Sequence, residues 1–156
     1  MVNYSIRFLF ERHENRLHPL KKTAGHIRAR LEEIDSVYKK LCAATCPFCP
    51  DPCCFSADIW FDLKDLLFLH ASGLAMPIKD PGKKKNSPCS FLSSNGCTIA
   101  RTSRPWLCTW YLCPTQKRRL ETKQPGFLHR LQKLTAEITA LRKHLEQCFI
   151  ELTGTE

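Results

Sequence analysis

The sequence predicts a mainly α protein: an antiparallel pair of long helices, a short third helix, and a loop-rich cysteine module. Two apolar seams and a block of thiols carry that expectation. Leu17, Leu20, Ala24, Ile27, Leu31, Ile34, Tyr38 and Leu41 recur at alternating intervals of three and four residues. That spacing lays one apolar stripe along a helix and suits packing on a partner at a shallow angle. Phe127, Leu131, Leu134, Ile138, Leu141, Leu145, Cys148 and Leu152 repeat the pattern, and eight of the ten cysteines form two blocks between the two seams.

The first long helix is expected over 19–42. Pro19 fits a first turn, where its missing N–H has no helical partner to lose, and Pro47 follows the far end. The second is expected over 127–152, with Pro125 and Gly126 before it and Gly154 after. Zipping the seams together in one chain buries both; pairing each helix with its copy in a homodimer would also satisfy the pattern. Between them, Ser56 or Ala57 opens a third helix that runs to about Ala71. Ser56 serves as its cap, Asp58 sits in the first turn, and Gly73 is the stop. Residues 77–88, rich in Pro, Gly and Lys, read as an exposed loop. The whole is expected to be a single domain over residues 1–156, with a cysteine module, 43–126, inserted between helices 19–42 and 127–152.

A hydrophobic fraction of 43% and a charged fraction of 25% are those of an ordinary globule. No apolar run approaches the roughly 18–20 residues of a membrane span, and the N-terminal stretch lacks the apolar core of a secretory signal. A cytoplasmic protein without a membrane partner is therefore expected. Thiols stay reduced in that compartment, which favours metal ligation over a disulfide framework. Residues 79–126 hold ten Lys and Arg against two Asp and Glu, so most of the net charge of +9 sits there, around Lys83, Lys84, Lys85, Arg101, Arg104, Lys117, Arg118 and Arg119. Such a patch suits nucleic acid, an acidic protein partner or an anionic substrate. It also offsets the negative charge that thiolates bring to a metal.

The first cysteine block reads Cys46-Pro-Phe-Cys49-Pro-Asp-Pro-Cys53-Cys54. A Cys-x-x-Cys turn brings two sulfurs to one ion while backbone N–H groups point at them, for zinc and iron–sulfur centres alike. Prolines at 47, 50 and 52 stiffen the loop. The second block holds Cys89 and Cys97, with the turn signal Asn95-Gly96 folding one toward the other, then Cys108 and Cys113. Trp106, Trp110 and Tyr111 can wrap a metal in an apolar shell or pack on the third helix. Cys148, on the second seam, and Cys42, beside the first, read as buried apolar-like thiols.

The combination CPFCPDPCC, CSFLSSNGCTI, SRPWLC and a final Cys113 resembles the YkgJ-type cysteine-cluster family, which is described as a zinc- or iron-chelating domain and carries a Cys-x-x-Cys-x-x-Cys-Cys signature. Three residues, not two, separate Cys49 from Cys53 here. The resemblance covers residues 46–113 and implies metal ligation by Cys49, Cys53, Cys54, Cys89, Cys97, Cys108 and Cys113, with Cys46 the remaining candidate. Arg104-Pro105 matches the Arg-Pro pair that precedes a cysteine in that family. The family is also related to larger flagellin lysine-methylase proteins.

Other constellations lead nowhere. Cys42, Cys46 and Cys49 have the spacing of enzymes that cleave S-adenosylmethionine, but the chain is too short and too poor in βα pattern for their barrel. His13, His18, His26, His70, His129 and His144 are scattered, and no Ser-His-Asp set or Gly-rich phosphate loop occurs. No catalytic residues are expected. The leading expectation is a metal-binding protein whose cysteines chelate zinc or iron, the latter as an iron–sulfur cluster, in a structural, storage or redox role. The alternatives are a nucleic-acid-binding module and a cluster-dependent protein-modifying or thiol redox enzyme.

Overall fold

The computed structural model describes residues 2–50, 52–56, 59–77, 88–94 and 96–154. Its elements are α1 (Val2–Arg12), α2 (Glu14–Thr45), α3 (Cys53–Ser56), α4 (Leu63–Ala71), β1 (Leu92–Ser93), β2 (Gly96–Cys97), α5 (Trp106–Trp110), α6 (Pro114–Lys123) and α7 (Pro125–Thr153). Two 3-10 turns, Cys46–Phe48 and Arg101–Ser103, join them.

Helix α2 buries Leu17, Leu20, Ala24, Ile27, Leu31, Ile34, Tyr38 and Leu41, the same eight residues that the spacing picked out. Its partner is α7, and the pair is antiparallel. Arg30 of α2 bridges to Glu137 of α7 at 3.0 Å, whereas Glu33, one turn further along α2, meets Arg130, further back along α7. These exposed ion pairs contribute little. Burial does the work, at about 1.5–3 kcal/mol for each fully buried Leu or Ile. Leu17, Leu20, Ile27, Ile34, Ile138 and Leu145 are all within 1% of complete burial.

The expected boundaries shift in two places. Helix α2 begins at Glu14 and ends at Thr45, which leaves Pro19 inside the helix rather than in its first turn. Burial of Leu17 and Leu20 rewards helix on both sides of the proline and offsets the one lost hydrogen bond. On α7 the early seam, Leu131, Leu134 and Ile138, faces α2 as expected. Beyond it the buried positions become Arg142, Leu145 and Phe149, with Leu141, Cys148 and Leu152 only partly covered. A straight helix drifts off a strict seven-residue repeat, and this end of α7 also meets α4, while Phe149 stacks on Phe10 of α1 with ring centroids 6.0 Å apart.

The third helix, α4, starts at Leu63, not at Ser56 or Ala57. Its cap is Asp62, whose side chain accepts from the Asp65 N–H at 2.8 Å, while the Asp65 side chain accepts from the Asp62 N–H at 3.0 Å. This reciprocal capping box satisfies two otherwise orphaned donors and outcompetes an earlier start. Ser56 belongs to the separate single turn α3, and Asp58 lies outside the described residues. Gly73 ends α4 as expected. At φ +64 it permits two closing bonds, Leu74 N–H to the Leu69 carbonyl and Gly73 N–H to the His70 carbonyl. Leu66, Leu67, Phe68 and Leu69 enter the main core, so α4 is a third wall of the helical bundle. The expected loop at 77–88 falls almost wholly outside the described residues.

His70 stacks on Phe10 at 5.4 Å. Burial first, then the nearby Arg7 cation, holds its pKa below the ordinary value. The unfolded chain therefore takes up this proton before the folded chain does, and stability present above about pH 6.5 is lost as pH falls. Thermal melts between pH 7.5 and 5.5 should show this decline, and His70→Gln should flatten it.

Candidate metal centre

Cysteines from the two distant blocks meet at the side of the bundle. The strands β1 and β2 form an antiparallel hairpin with Leu92 opposite Cys97 and Ser93 opposite Gly96. Gly96, at φ +100, takes a backbone conformation that disfavours a side chain; Asn95, the other half of the turn signal, lies outside the described residues. The hairpin sets Cys89 and Cys97 in one small apolar cluster with Ile59, Phe91, Leu92 and Ile99, and Cys54 and Cys108 pack into the same cluster. The Cys89 N–H donates to the Cys54 carbonyl at 2.9 Å, so the first block is tied directly to the second. Arg104 braces the hairpin from the other side, its Nε donating to the Ile99 carbonyl at 2.8 Å, and Pro105 is fully buried behind it.

The thiols influence one another strongly. A hydrogen bond with Cys53, then burial, then the charges of Cys53, Cys97 and Cys89 push the Cys54 thiol up. Burial, aided by Cys97 and Cys89, pushes Cys108 up to about 12.

A second group forms where α2 ends. Cys42 and Cys46 are one helical turn apart, and burial, then the neighbouring Cys42, push the Cys46 thiol up to about 11. Cys113, the N-cap of α6, joins them through Gln116. The Gln116 N–H donates to Cys113 Sγ at 3.5 Å, and its Nε2 lies 3.6 Å from Cys42 Sγ and 3.7 Å from Cys46 Sγ. Cys53, which opens α3, is near enough to raise the pKa of Cys46, Cys54 and Cys108. Cys49 ends the turn after α2, its N–H bonded to the Cys46 carbonyl at 3.2 Å.

All ten cysteines are free thiols. As the side chains stand, no group of three or more His, Cys, Asp or Glu among the described residues is arranged to hold a metal ion. Four cysteines share one apolar cluster, and a backbone bond from Cys89 to Cys54 joins two of them; thiolates are the residue type that zinc and iron–sulfur centres take as ligands.

Of the two expectations for the aromatics, Trp106 follows the second, beside the third helix. Trp106 packs on the main core, where the Arg142 guanidinium lies 5.4 Å from its ring, and its N–H donates to Asp65 of α4. Trp110 and Tyr111 are exposed at 44% and 41%. The lining of the four-thiol group comes from Ile59, Phe91, Leu92 and Ile99 instead, because the hairpin turns its own apolar side chains inward. Cys42, read as an apolar-like thiol, does pack against the core, yet its sulfur faces Gln116 and Arg101. Cys148 is half-buried, its sulfur 3.5 Å from His144 Nε2. Gln116, Arg101 and Cys42 were the residues that sequence reasoning missed; the i, i+4 spacing of Cys42 and Cys46 was the signal available for one of them.

No family model, no curated protein and no solved structure matches the chain. Among the described residues no helix is long and apolar enough to cross a membrane.

Proposed function

We propose that this is a metal-binding protein whose main centre is held by the thiolates of Cys54, Cys89, Cys97 and Cys108, with zinc or an iron–sulfur cluster as the bound group. The observation that carries this reading is the meeting of those four cysteines, drawn from segments far apart along the chain, in one small apolar cluster. The motif resemblance to the YkgJ-type family points the same way. Four thiolates would fill a tetrahedral ion and leave no position open for substrate, so a structural, storage or electron-carrying role fits better than hydrolysis.

The nucleic-acid reading is less well supported. The Arg101 side chain is 3% exposed and paired with Asp35, and Arg104 is committed to the Ile99 carbonyl, which withdraws two cations from a phosphate-facing patch. Lys83, Lys84 and Lys85 lie outside the described residues.

Anaerobic purification followed by a visible spectrum and elemental analysis for zinc, iron and acid-labile sulfide tests the proposal. It requires at least one metal centre per chain, which Cys108→Ser or Cys89→Ser depletes. Colourless protein free of transition metal and indifferent to added zinc would overturn it.

A further inference from the structure

We propose that the open groove between α7 and the α5–α6 segment docks an acidic amphipathic helix of another protein. The groove holds about 570 Å³, and none of the described cysteines lines it, so the inference stands apart from the metal-binding reading above.

Its floor is one stripe of α7. Thr135, Ala136, Thr139, Ala140 and Lys143 follow one another at intervals that keep them on a single helix face, while Leu134, Ile138 and Leu145 of the same helix are buried in the core. Small side chains on such a stripe let a second helix approach closely. The two threonines spend their hydroxyls within α7: Thr135 Oγ1 donates to the Leu131 carbonyl and Thr139 Oγ1 to the Thr135 carbonyl, each at 2.8 Å. Neither hydroxyl then needs a partner from whatever covers the groove. Trp110 and Leu112 form the opposite wall, and Trp110 is half-exposed although such side chains commonly anchor interfaces. From Leu128 to Lys143 the lining follows α7 for about 22 Å, the length of about four helical turns.

Charge selects the partner. Among the described residues that line the groove, Lys117 and Lys143 are the charged ones, and no acid joins them. Lys117 reaches Glu121 only at 3.9 Å in an exposed pair, which a partner's carboxylate can replace at little cost. Arg118 and Arg119, next along α6, are exposed as well. A helix with an apolar face bordered by Asp or Glu therefore matches both the lining and its sign. A second copy of this chain is the poorer match, because its own net charge is +9. A nucleic acid would meet an apolar floor where its phosphates need donors.

Two synthetic helical peptides of about four turns serve as probes: one with leucines along one face and glutamates along the other, and one with lysines in place of the glutamates. Binding to the full chain is read by fluorescence anisotropy, and the contact is located by backbone-amide NMR shifts. The acidic peptide should bind at least about tenfold more tightly than the basic one, weaken with added salt, and shift residues 128–143. Ala140→Glu and Lys143→Glu should each weaken it by about tenfold or more, whereas Lys22→Glu, a charge reversal outside the groove, should leave it within about twofold. Ala140 is exposed, so circular dichroism should show the helix content of Ala140→Glu unchanged. Absence of binding, equal binding of the two peptides, or binding that survives Ala140→Glu would overturn the proposal. A wild-type dimer that Ala140→Glu dissolves would give the groove to a second copy instead. Binding to phosphatidylglycerol vesicles or to a single-stranded oligonucleotide, lost in the same variant, would likewise overturn it in favour of that partner.

Discussion

Arg142→Ala is expected to destabilise the chain by about 3–5 kcal/mol, the range for removing one partner of a buried ion pair. Arg142 lies on α7, nearly covered, with Nη1 2.7 Å from Asp65 Oδ1 and Nη2 2.9 Å from Asp62 Oδ1. Asp65 is 4% exposed, and burial pushes its carboxyl up against the opposing pull of Arg142. The same carboxylate caps α4 and accepts the Trp106 N–H at 3.0 Å, so α4, α5 and α7 are joined at one charge. Without the guanidinium that charge is stranded. Urea unfolding of Arg142→Ala measures the loss, and adding Asp65→Asn should recover part of it by removing the unpaired charge. Lys64→Ala provides the contrast: its bridge to Glu146 is partly solvated, and about 0–1 kcal/mol is expected. A loss below about 1 kcal/mol for Arg142→Ala would show that the triad is not the joint described here.

Withdrawing metal from the proposed centre should have the larger effect. Structural zinc sites in small domains bind with an apparent free energy of about 10–16 kcal/mol near neutral pH, much of which appears as folding free energy where no site is formed beforehand. Here the consequence should be local. Among the described residues the two-stranded hairpin has only Ile59, Cys89 and Phe91 as its buried apolar cluster, separate from the core between α2 and α7. Chelation under reducing conditions should therefore release amide protection across residues 89–108 while far-ultraviolet helicity is largely retained. Unchanged exchange in that segment would mean that its own packing suffices.

The fold was legible where one physical signal dominated. The α2 seam was read completely because a helix packed along most of its length on one partner keeps one face buried. The α7 seam was legible only until α4 and α1 joined the contact. There the buried positions became Arg142 and Phe149, the former paired with acids on a helix whose start had been misplaced. Helix α6, residues Pro114–Lys123, gave no periodic signal because Leu120 is its one buried apolar side chain; Pro114 at its first position and Cys113 as cap define its start. Helix α1 went unread for a similar reason, with Ile6 its one fully covered described residue.

The candidate site was legible as an inventory but not as a partition. The convergence of Cys89 and Cys97 followed from a local turn signal. The separation of Cys54, Cys89, Cys97 and Cys108 from Cys42, Cys46 and Cys113 depends on where α6 places Gln116, seventy-four residues from Cys42. No local pattern encodes that distance.

X-ray absorption at the zinc or iron edge of anaerobically purified full-length protein tests the central claim most directly. Thiolate ligation predicts a first shell of about four sulfur scatterers, near 2.3 Å for zinc. A first shell of oxygen and nitrogen at about 2.0–2.1 Å, or no metal edge at all, would contradict it.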